Sequence, residues 1–179
     1  MHKEAIEKEA IENLRAISVE KVEMLTGDNE ATAKAIVERL GITKYHAALL
    51  PEHKVFLATP LREKYGSIAM VGDGINDAPV LAASNVGIAL GTAGNDIAIE
   101  AADIALMGSD LRAVPYTIKL GRKVINKLKI NIAITLSFKF LMIALGALGL
   151  IPLWFAVIGD DGITLVVIAN ALPLLRFKG

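Results

Sequence analysis

The chain has 179 residues, enough for one domain of ordinary size, and its hydrophobic fraction of 54% exceeds the ~45–50% usual in soluble proteins. The zero net charge hides two unlike halves: residues 1–112 carry 17 acidic and 11 basic side chains, and residues 113–179 carry 2 acidic and 8 basic ones. The acidic first half does not indicate nucleic-acid binding. Because cysteine is absent, the chain can form no disulfide or cysteine-ligated metal site.

Up to a boundary near Gly108–Asp110, strand-length apolar runs alternate with helical patterns. The Glu/Lys-rich segment Met1–Asn13 has helical spacing and is not a secretory signal. The elements predicted after it are strand Val22–Leu25, helix Glu30–Leu40 ended by Gly41, strand Tyr45–Ala48, helix Pro51–Lys64, buried strand Ser67–Val71, strand Val86–Leu90, helix Asn95–Ala101 and strand Ile104–Leu106. Such alternation predicts a mostly parallel sheet, in which ligands bind at the carboxyl ends of strands.

After the boundary the pattern becomes a basic helix and two long apolar runs. Pro115 suits the first turn of a helix. Its next turns carry Lys119, Arg122, Lys123, Lys127 and Lys129. Between Ile130 and Ile158 the only charge is Lys139, and Gly149–Pro152 separates this run from Leu153–Leu175. Each run is roughly 30–35 Å long as a helix, enough to span a bilayer.

We therefore predict an α/β domain over residues 1–112 and a transmembrane hairpin over residues 113–179. The basic flanks of both runs place the N-terminal half and the C-terminus in the cytoplasm and the Gly-Pro turn outside. A buried helical hairpin in a soluble core is the alternative.

Two motifs in the first half offer a phosphate site. Thr26-Gly27-Asp28-Asn29 lies between a strand and a helix, where hydroxyl, flexible backbone and helix N-terminus can bind phosphate. The alternative is that Thr26 or Asp28 only caps the helix. Lys54 lies four residues into the next helical pattern, and such a lysine is usually just a solvated charge.

A third motif, Gly72 to Pro79, places Asp73, Asn76 and Asp77 in a glycine turn directly after a strand. Carboxylates this close repel each other unless they share a cation, and their hard oxygen atoms favour Mg²⁺. The alternative, an acidic turn that merely caps a helix, explains the crowding less well.

Together these motifs resemble the phosphorylation domain of P-type ATPases, within the haloacid-dehalogenase-like superfamily. The membrane part resembles the subgroup that moves zinc, cadmium and lead, through Lys139, Asp160-Asp161-Gly162 and Asn170-Ala171-Leu172. The fold implied is an incomplete Rossmann-like domain followed by two membrane helices. The partners implied are membrane lipid and a transported divalent metal, with Zn²⁺ preferred.

The resemblance also implies roles for the three cytosolic motifs. Thr26 and Lys54 would contact the transferred phosphoryl group, and Asp73 would bind Mg²⁺. Asn76 and Asp77 would order the site, with Asp77 as a possible second Mg²⁺ ligand. The implied catalytic set is Thr26, Gly27, Asp28, Lys54, Asn76 and Asp77.

Two departures from the family pattern matter. The family's nucleophile lies in Asp-Lys-Thr-Gly-Thr on a central strand, and neither this string nor the nucleotide-binding domain that would bring ATP occurs in the chain. We therefore expect a gap in the sheet between the strands ending at Thr26 and Gly72, an inactive isolated chain, and a possible need for a separate N-terminal pump half. Pro173 stands where the family usually has arginine, and we expect it to disturb the helix end.

The membrane charges can be placed without the family. Lys139 lies roughly 13 Å into its helix from the cytoplasmic side and Asp160 roughly 10 Å from the outer turn. In a membrane whose hydrocarbon core is about 30 Å thick, the two residues are about 6 Å apart along the helix axis, a distance that a lysine side chain can bridge. Pairing is expected because a single charge buried in the membrane is costly. Asp160 would be a ligand of the transported metal and Lys139 its charge partner, unless the pair only locks the hairpin. Asp161, about 100° round the helix, should face elsewhere.

Other functions stay open at this point. A stand-alone phosphatase of the same superfamily would also need the nucleophilic aspartate. A non-catalytic membrane-anchored protein could retain the phosphate site as a remnant. Within the pumps, a copper-type pump is the runner-up, although that subgroup uses Tyr-Asn and Met or Ser residues where this chain has Lys and Asp.

Overall fold

The computed structural model describes residues 2–73, 75–91 and 96–177, so Gly74 of the glycine turn and Asn95 of a predicted helix lie outside the described residues. The chain forms two compact units, Met1–Pro115 and Tyr116–Gly179.

The first unit alternates helices with short parallel strands. Its elements are α1 (His2–Ala16), β1 (Glu23–Leu25), α2 (Glu30–Leu40), β2 (Lys44–His46), α3 (Pro51–Tyr65), β3 (Ala69–Gly72), a 3-10 helix (Ile75–Asp77), α4 (Ala78–Ala83), β4 (Val86–Leu90), α5 (Asp96–Ala101) and β5 (Ile104–Leu106). The predicted α/β class with parallel strands is confirmed. The 3-10 helix and α4, which follow the glycine turn without a break, were not predicted.

Local signals set the ends of α2. The Asn29 side chain accepts a hydrogen bond from the Thr32 backbone N–H at 2.9 Å, which caps the first turn. Gly41 closes the helix with φ 67°, a left-handed conformation that glycine adopts without strain. The helix therefore begins and ends where the sequence predicts.

The strands fall into two separate sheets. β1 pairs with β2, and β3 pairs with β4, which pairs with β5, so within the described residues β1 and β3 are each hydrogen-bonded along one edge only. The expected gap between these two strands is confirmed. β3 was predicted to be a buried strand, and this is wrong: within it only Gly72 is buried, because no strand covers its other edge.

The core of the first unit lies between α4 and the larger sheet. Leu81 of α4 and Ala89 of β4 are at most 1% exposed and form one buried cluster, against which Met70 of β3 packs. The glycine turn runs directly into α4. Burial of α4 therefore fixes the position of the turn that carries the acidic motif.

The smaller sheet is held by a carboxylate that the sequence did not single out. Glu23 accepts hydrogen bonds from Lys44 Nζ at 2.9 and 3.0 Å and from the Tyr65 hydroxyl at 2.9 Å, and lies 3.4 Å from His46 Nε2. Burial would raise the pKa of Glu23, but the bonds from Lys44 and Tyr65, the charge of Lys44 and the bond with His46 outweigh it and lower that pKa. This network joins β1, β2 and the end of α3.

We expect Glu23→Gln to destabilise the first unit by about 1 kcal/mol at pH 7, because a charge-assisted bond to the half-exposed Lys44 is lost. The folded-state pKa of Glu23 is lowered, so its contribution is present above the ordinary value of 4.5 and disappears as the pH falls through the folded pKa. Urea unfolding of the chain in detergent, measured at neutral and acidic pH, should therefore show a smaller acid-dependent loss in the variant. The exposed Glu20→Gln is the control, and identical pH profiles for both variants would contradict the assignment.

The second unit is a helical hairpin. α6 (Ala113–Ala147) and α7 (Leu153–Ala171) are joined by a turn with Gly149 at φ 70°, and a 3-10 helix, Leu172–Arg176, follows α7. Pro173 lies in this 3-10 helix, and the kink expected at the helix end stays a prediction. Both helices are long and apolar enough to cross a membrane, and their most apolar stretches are 6% and 0% buried. A hairpin buried in a soluble core is therefore excluded for this structure.

Candidate functional site

The loop after β1 is organised around Thr26. Its hydroxyl donates to Asp28 Oδ2 at 2.9 Å and accepts from the Asp28 backbone N–H at 3.1 Å. Neither residue caps α2, since Asn29 does so. The capping-only alternative for Thr26 and Asp28 is therefore wrong, and the hydroxyl and carboxylate lie together at the carboxyl end of β1.

The next loop along the sheet is fixed against this one by backbone contacts. The Ala48 N–H donates to the Asp28 carbonyl at 2.7 Å, and the Leu49 N–H donates to the Thr26 carbonyl at 3.1 Å. Ala48 has φ 52°, an uncommon value for a residue with a side chain. These bonds set the start of α3 beside the Thr26 loop.

Lys54, on α3, reaches the acidic turn after β3. Its Nζ lies 2.6 Å from Asp77 Oδ1, and both side chains are only 14% exposed. A Cβ added at Gly72 would lie 2.6 Å from the Cβ of Asp77, so only glycine at that position lets the aspartate pack over the strand end. The lysine is thus not a solvated surface charge.

The turn after β3 carries the side chains that were predicted to bind Mg²⁺. Asp73 and Asn76 are exposed after β3, and their oxygen atoms are the hard donors that Mg²⁺ prefers. Within the described residues, no three His, Cys, Asp or Glu side chains cluster closely enough to hold a metal ion. The donor chemistry therefore fits Mg²⁺ at Asp73, but the site needs further ligands from outside this set.

An ion pair joins the two long apolar helices. Lys139 Nζ on α6 lies 3.0 Å from Asp160 Oδ1 on α7. The pair lines an open groove of about 330 Å³ whose other walls are mostly apolar side chains. At Gly159 an added Cβ would lie 2.9 Å from the ring of Phe138, so the missing side chain allows the helices to approach beside the pair.

Asp161 also lines this groove. The expectation that it faces a different surface is wrong, because the groove is wide enough to take in two residues about 100° apart on the helix. Two carboxylates and one lysine therefore share the groove, although within the described residues the ion pair joins the lysine to Asp160.

Comparison with known proteins shows what the chain as a whole is similar to. A model described as a haloacid dehalogenase-like hydrolase matches residues 2–85. A probable cadmium-transporting ATPase of Alkalihalophilus pseudofirmus is 48% identical over 96% of this chain and 24% of its own length. A copper-exporting P-type ATPase of Staphylococcus haemolyticus is 44% identical over 96% of this chain and 21% of its own length.

A solved structure agrees with these relatives. The crystal structure of a zinc-transporting PIB-type ATPase superposes with a TM-score of 0.83 at 44% identity, over 93% of this chain and 27% of that one. The chain belongs to the heavy-metal-transporting P-type ATPases. It spans about a quarter of the length of these relatives.

One polar contact between α6 and α7 was not predicted from the sequence. Asn170 on α7 accepts a hydrogen bond from Lys127 Nζ at 2.6 Å and donates one to Asn131 Oδ1 at 2.6 Å, both on α6. Amides inside apolar runs signal interhelical bonds, so the two asparagines could have been paired from sequence. This cluster is a second link between the helices of the P-type ATPase hairpin.

We expect Asp73→Asn to weaken Mg²⁺ binding at least about tenfold and Asp77→Asn to weaken it less, because Asp77 is held by Lys54 while a direct metal ligand is lost in the first variant. Titration of the fragment 1–112 with Mg²⁺ measures the binding affinity of each variant and of the wild type. Binding should be weak in all forms. Equal losses in both variants, or none in either, would remove Asp73 from its assigned role.

Proposed function

We propose that the chain is the C-terminal part of an ATP-driven pump for divalent heavy-metal cations, and that it carries the Mg²⁺ and phosphate site and part of the membrane metal site. The observation that carries this proposal is the ion pair of Lys139 and Asp160 at 3.0 Å between two apolar helices. A charge pair at membrane depth is costly and usually marks an ion pathway.

The cytosolic residues suit the handling of a phosphoryl group. Lys54 supplies a cation at the carboxyl edge of the sheet, with Asp77 holding it 2.6 Å away, and Thr26 supplies a hydroxyl fixed by Asp28. Asp73 would hold Mg²⁺, which would neutralise charge on the phosphoryl oxygens when bound. The nucleophilic aspartate, the site for ATP and the remaining Mg²⁺ ligands would come from parts of the pump that this chain does not contain.

The groove chemistry favours zinc, cadmium or lead over copper. Asp160 and Asp161 provide carboxylate oxygens, which zinc accepts, and Lys139 can balance the charge of the empty site. Copper(I) prefers soft sulfur ligands, of which the groove offers only Met142. A copper pump remains the second candidate, because a copper-exporting relative is 44% identical.

The basic end of α6 sets the proposed orientation in the membrane. Positive charge collects in cytoplasmic flanks, so the first unit and the C-terminus would lie in the cytoplasm and the turn at Gly149 outside. The chain alone would be inactive. The open edges of β1 and β3 leave room for the strand that, in the family, carries the nucleophile.

The test is ATP hydrolysis by the reconstituted chain, with and without the remaining part of a pump, across Zn²⁺, Cd²⁺, Pb²⁺ and Cu⁺. We expect hydrolysis only in the complemented sample, stimulated by the divalent ions. Stimulation by Cu⁺ alone would support the copper hypothesis. Activity that no metal stimulates would contradict both pump hypotheses.

A further inference from the structure

The cytosol-proximal third of α6 is amphipathic in a way that the pump function does not use. At about 100° per residue, its basic side chains fall within an arc of about 160°, and Leu120, Val124 and Leu128 occupy the opposite side. We name the basic side chains of this segment, with Arg176 after α7, the basic collar. Its members are Lys119, Arg122, Lys123, Lys127, Lys129 and Arg176.

Among the described residues, the contacts of Lys123 and Lys127 are with uncharged groups. The sequence has no aspartate or glutamate from Leu111 to Gly159. Lys127 donates to the neutral amide of Asn170 at 2.6 Å, and Lys123 lies 4.4 Å from the centre of the Phe177 ring. Lys123, Lys129 and Arg176 are exposed. The collar is therefore a strongly positive surface within the second unit.

The collar lies at the level of the lipid headgroups. α6 has 35 residues, and a hydrocarbon core needs about 20 of them, so the span can occupy the apolar stretch from about Ile130 onward. Lys129 and Lys127 then lie within about 5 Å of the core, and Lys123 about 10 Å away, within roughly one Debye length of the surface.

Aromatic contacts tie the end of the chain to the same level. The Tyr116 hydroxyl donates to the Phe177 carbonyl at 3.1 Å, and the two rings lie 5.6 Å apart. Tyrosine and other aromatic rings are favoured at the membrane interface. Because Phe177 also lies against Lys123, the end of the chain, with Arg176 next to Phe177, is held beside α6.

We propose that the basic collar binds the headgroups of anionic phospholipids in the leaflet where α6 enters the membrane. Phosphate oxygens match the lysine and arginine donors, and the exposed apolar side chain of Leu128, next to the span, can contact the adjoining acyl chains. An acidic protein segment would match the charge equally well. Direct continuity of the collar with an apolar span favours lipid.

The test uses the full chain in bilayers that contain spin-labelled phosphatidylglycerol or spin-labelled phosphatidylcholine, with electron paramagnetic resonance measuring the association of each. The wild type should prefer phosphatidylglycerol. The triple variant Lys123→Gln, Lys129→Gln, Arg176→Gln should lose at least about fivefold of that preference, since each cation near the surface contributes roughly that factor. The control variant Lys8→Gln, Lys34→Gln, Lys64→Gln removes the same charge from the first unit and should keep it.

Two further measurements decide the source of the ligand and guard against misfolding. If the triple variant loses helical circular dichroism, the wild type is compared at about 0.05 and 0.5 M NaCl, where screening should remove most of the preference. A wild-type preference that survives high salt, or is absent at low salt, overturns the proposal. So does a preference that free glycerol phosphate at millimolar concentration abolishes, because the site would then bind a soluble anion. Equal preference in the triple variant and the control also overturns it.

Discussion

We expect Asp160→Ala to abolish divalent-metal transport by the assembled pump, and Asp161→Ala to reduce it much less. The carboxylate of Asp160 lies 3.0 Å from Lys139. Asp161 lines the same groove, but the ion pair described there is formed by Asp160. Loss of Asp160 removes both a hard oxygen ligand and the negative charge opposite the lysine. Zinc uptake into vesicles that contain the complemented pump measures the difference.

The double variant Asp160→Ala, Lys139→Ala separates a ligand from a purely structural ion pair. Removing Asp160 alone leaves a cation unpaired in the groove, which can itself cause misfolding. If Asp160 is a ligand, the double variant should recover folding while transport stays lost. Recovery of zinc transport together with folding would leave Asp160 with a structural role only. Because Asp161 shares the groove, near-equal losses in the two single variants would indicate that both carboxylates bind metal.

The second large effect concerns phosphorylation. We expect the isolated chain to form no acid-stable phosphoenzyme from γ-phosphate-labelled ATP and Mg²⁺. The Asp-Lys-Thr-Gly-Thr string that carries the family's nucleophile is missing from the sequence. Asp77 is paired with Lys54, and both side chains are only 14% exposed, so Asp77 is poorly placed to act as the nucleophile. Acid precipitation followed by counting of the protein-bound label gives the stoichiometry.

A complemented sample serves as the control for this experiment. Addition of the missing part of the pump should restore labelling, and Lys54→Ala in this chain should then lower it, since we propose that this lysine contacts the phosphoryl group. Stoichiometric labelling of the pure chain would show that one of its own aspartates acts as nucleophile. Asp73→Asn would then identify whether the exposed carboxylate is responsible.

Local chemistry explains what could be predicted from sequence. Gly41 and Asn29 act on their own helix, so the bounds of α2 followed from their residue types. The pairing of Lys139 with Asp160 also followed, because a charge in an apolar run needs a partner and each run offered few.

Features that depend on packing between distant elements did not follow. The contact of Lys54 with Asp77 requires α3 to approach a turn 23 residues later, and a lysine in a helix gives no sign of this. Glu23 lies at the start of a strand, and the sequence gives no sign of its contacts with Lys44 and Tyr65. β3 was predicted to be buried from its apolar residues, although burial depends on a neighbouring strand that the described part of the chain does not provide. Asp161 was predicted to face another surface from its angle around the helix, and that angle does not give the width of the groove between two helices.

The division into two sheets also affects how the first unit folds. A central strand would join β1 to β3 and make the two sheets unfold together, whereas here each is stabilised separately. A two-stranded sheet is marginal without further support, and β1 with β2 depends on the Glu23 network. Amide hydrogen exchange should therefore be faster at Glu23–Leu25 than at Val86–Leu90, through local opening that leaves the larger sheet intact. Binding of a strand along the open edges would slow exchange in both sheets and make them one cooperative unit.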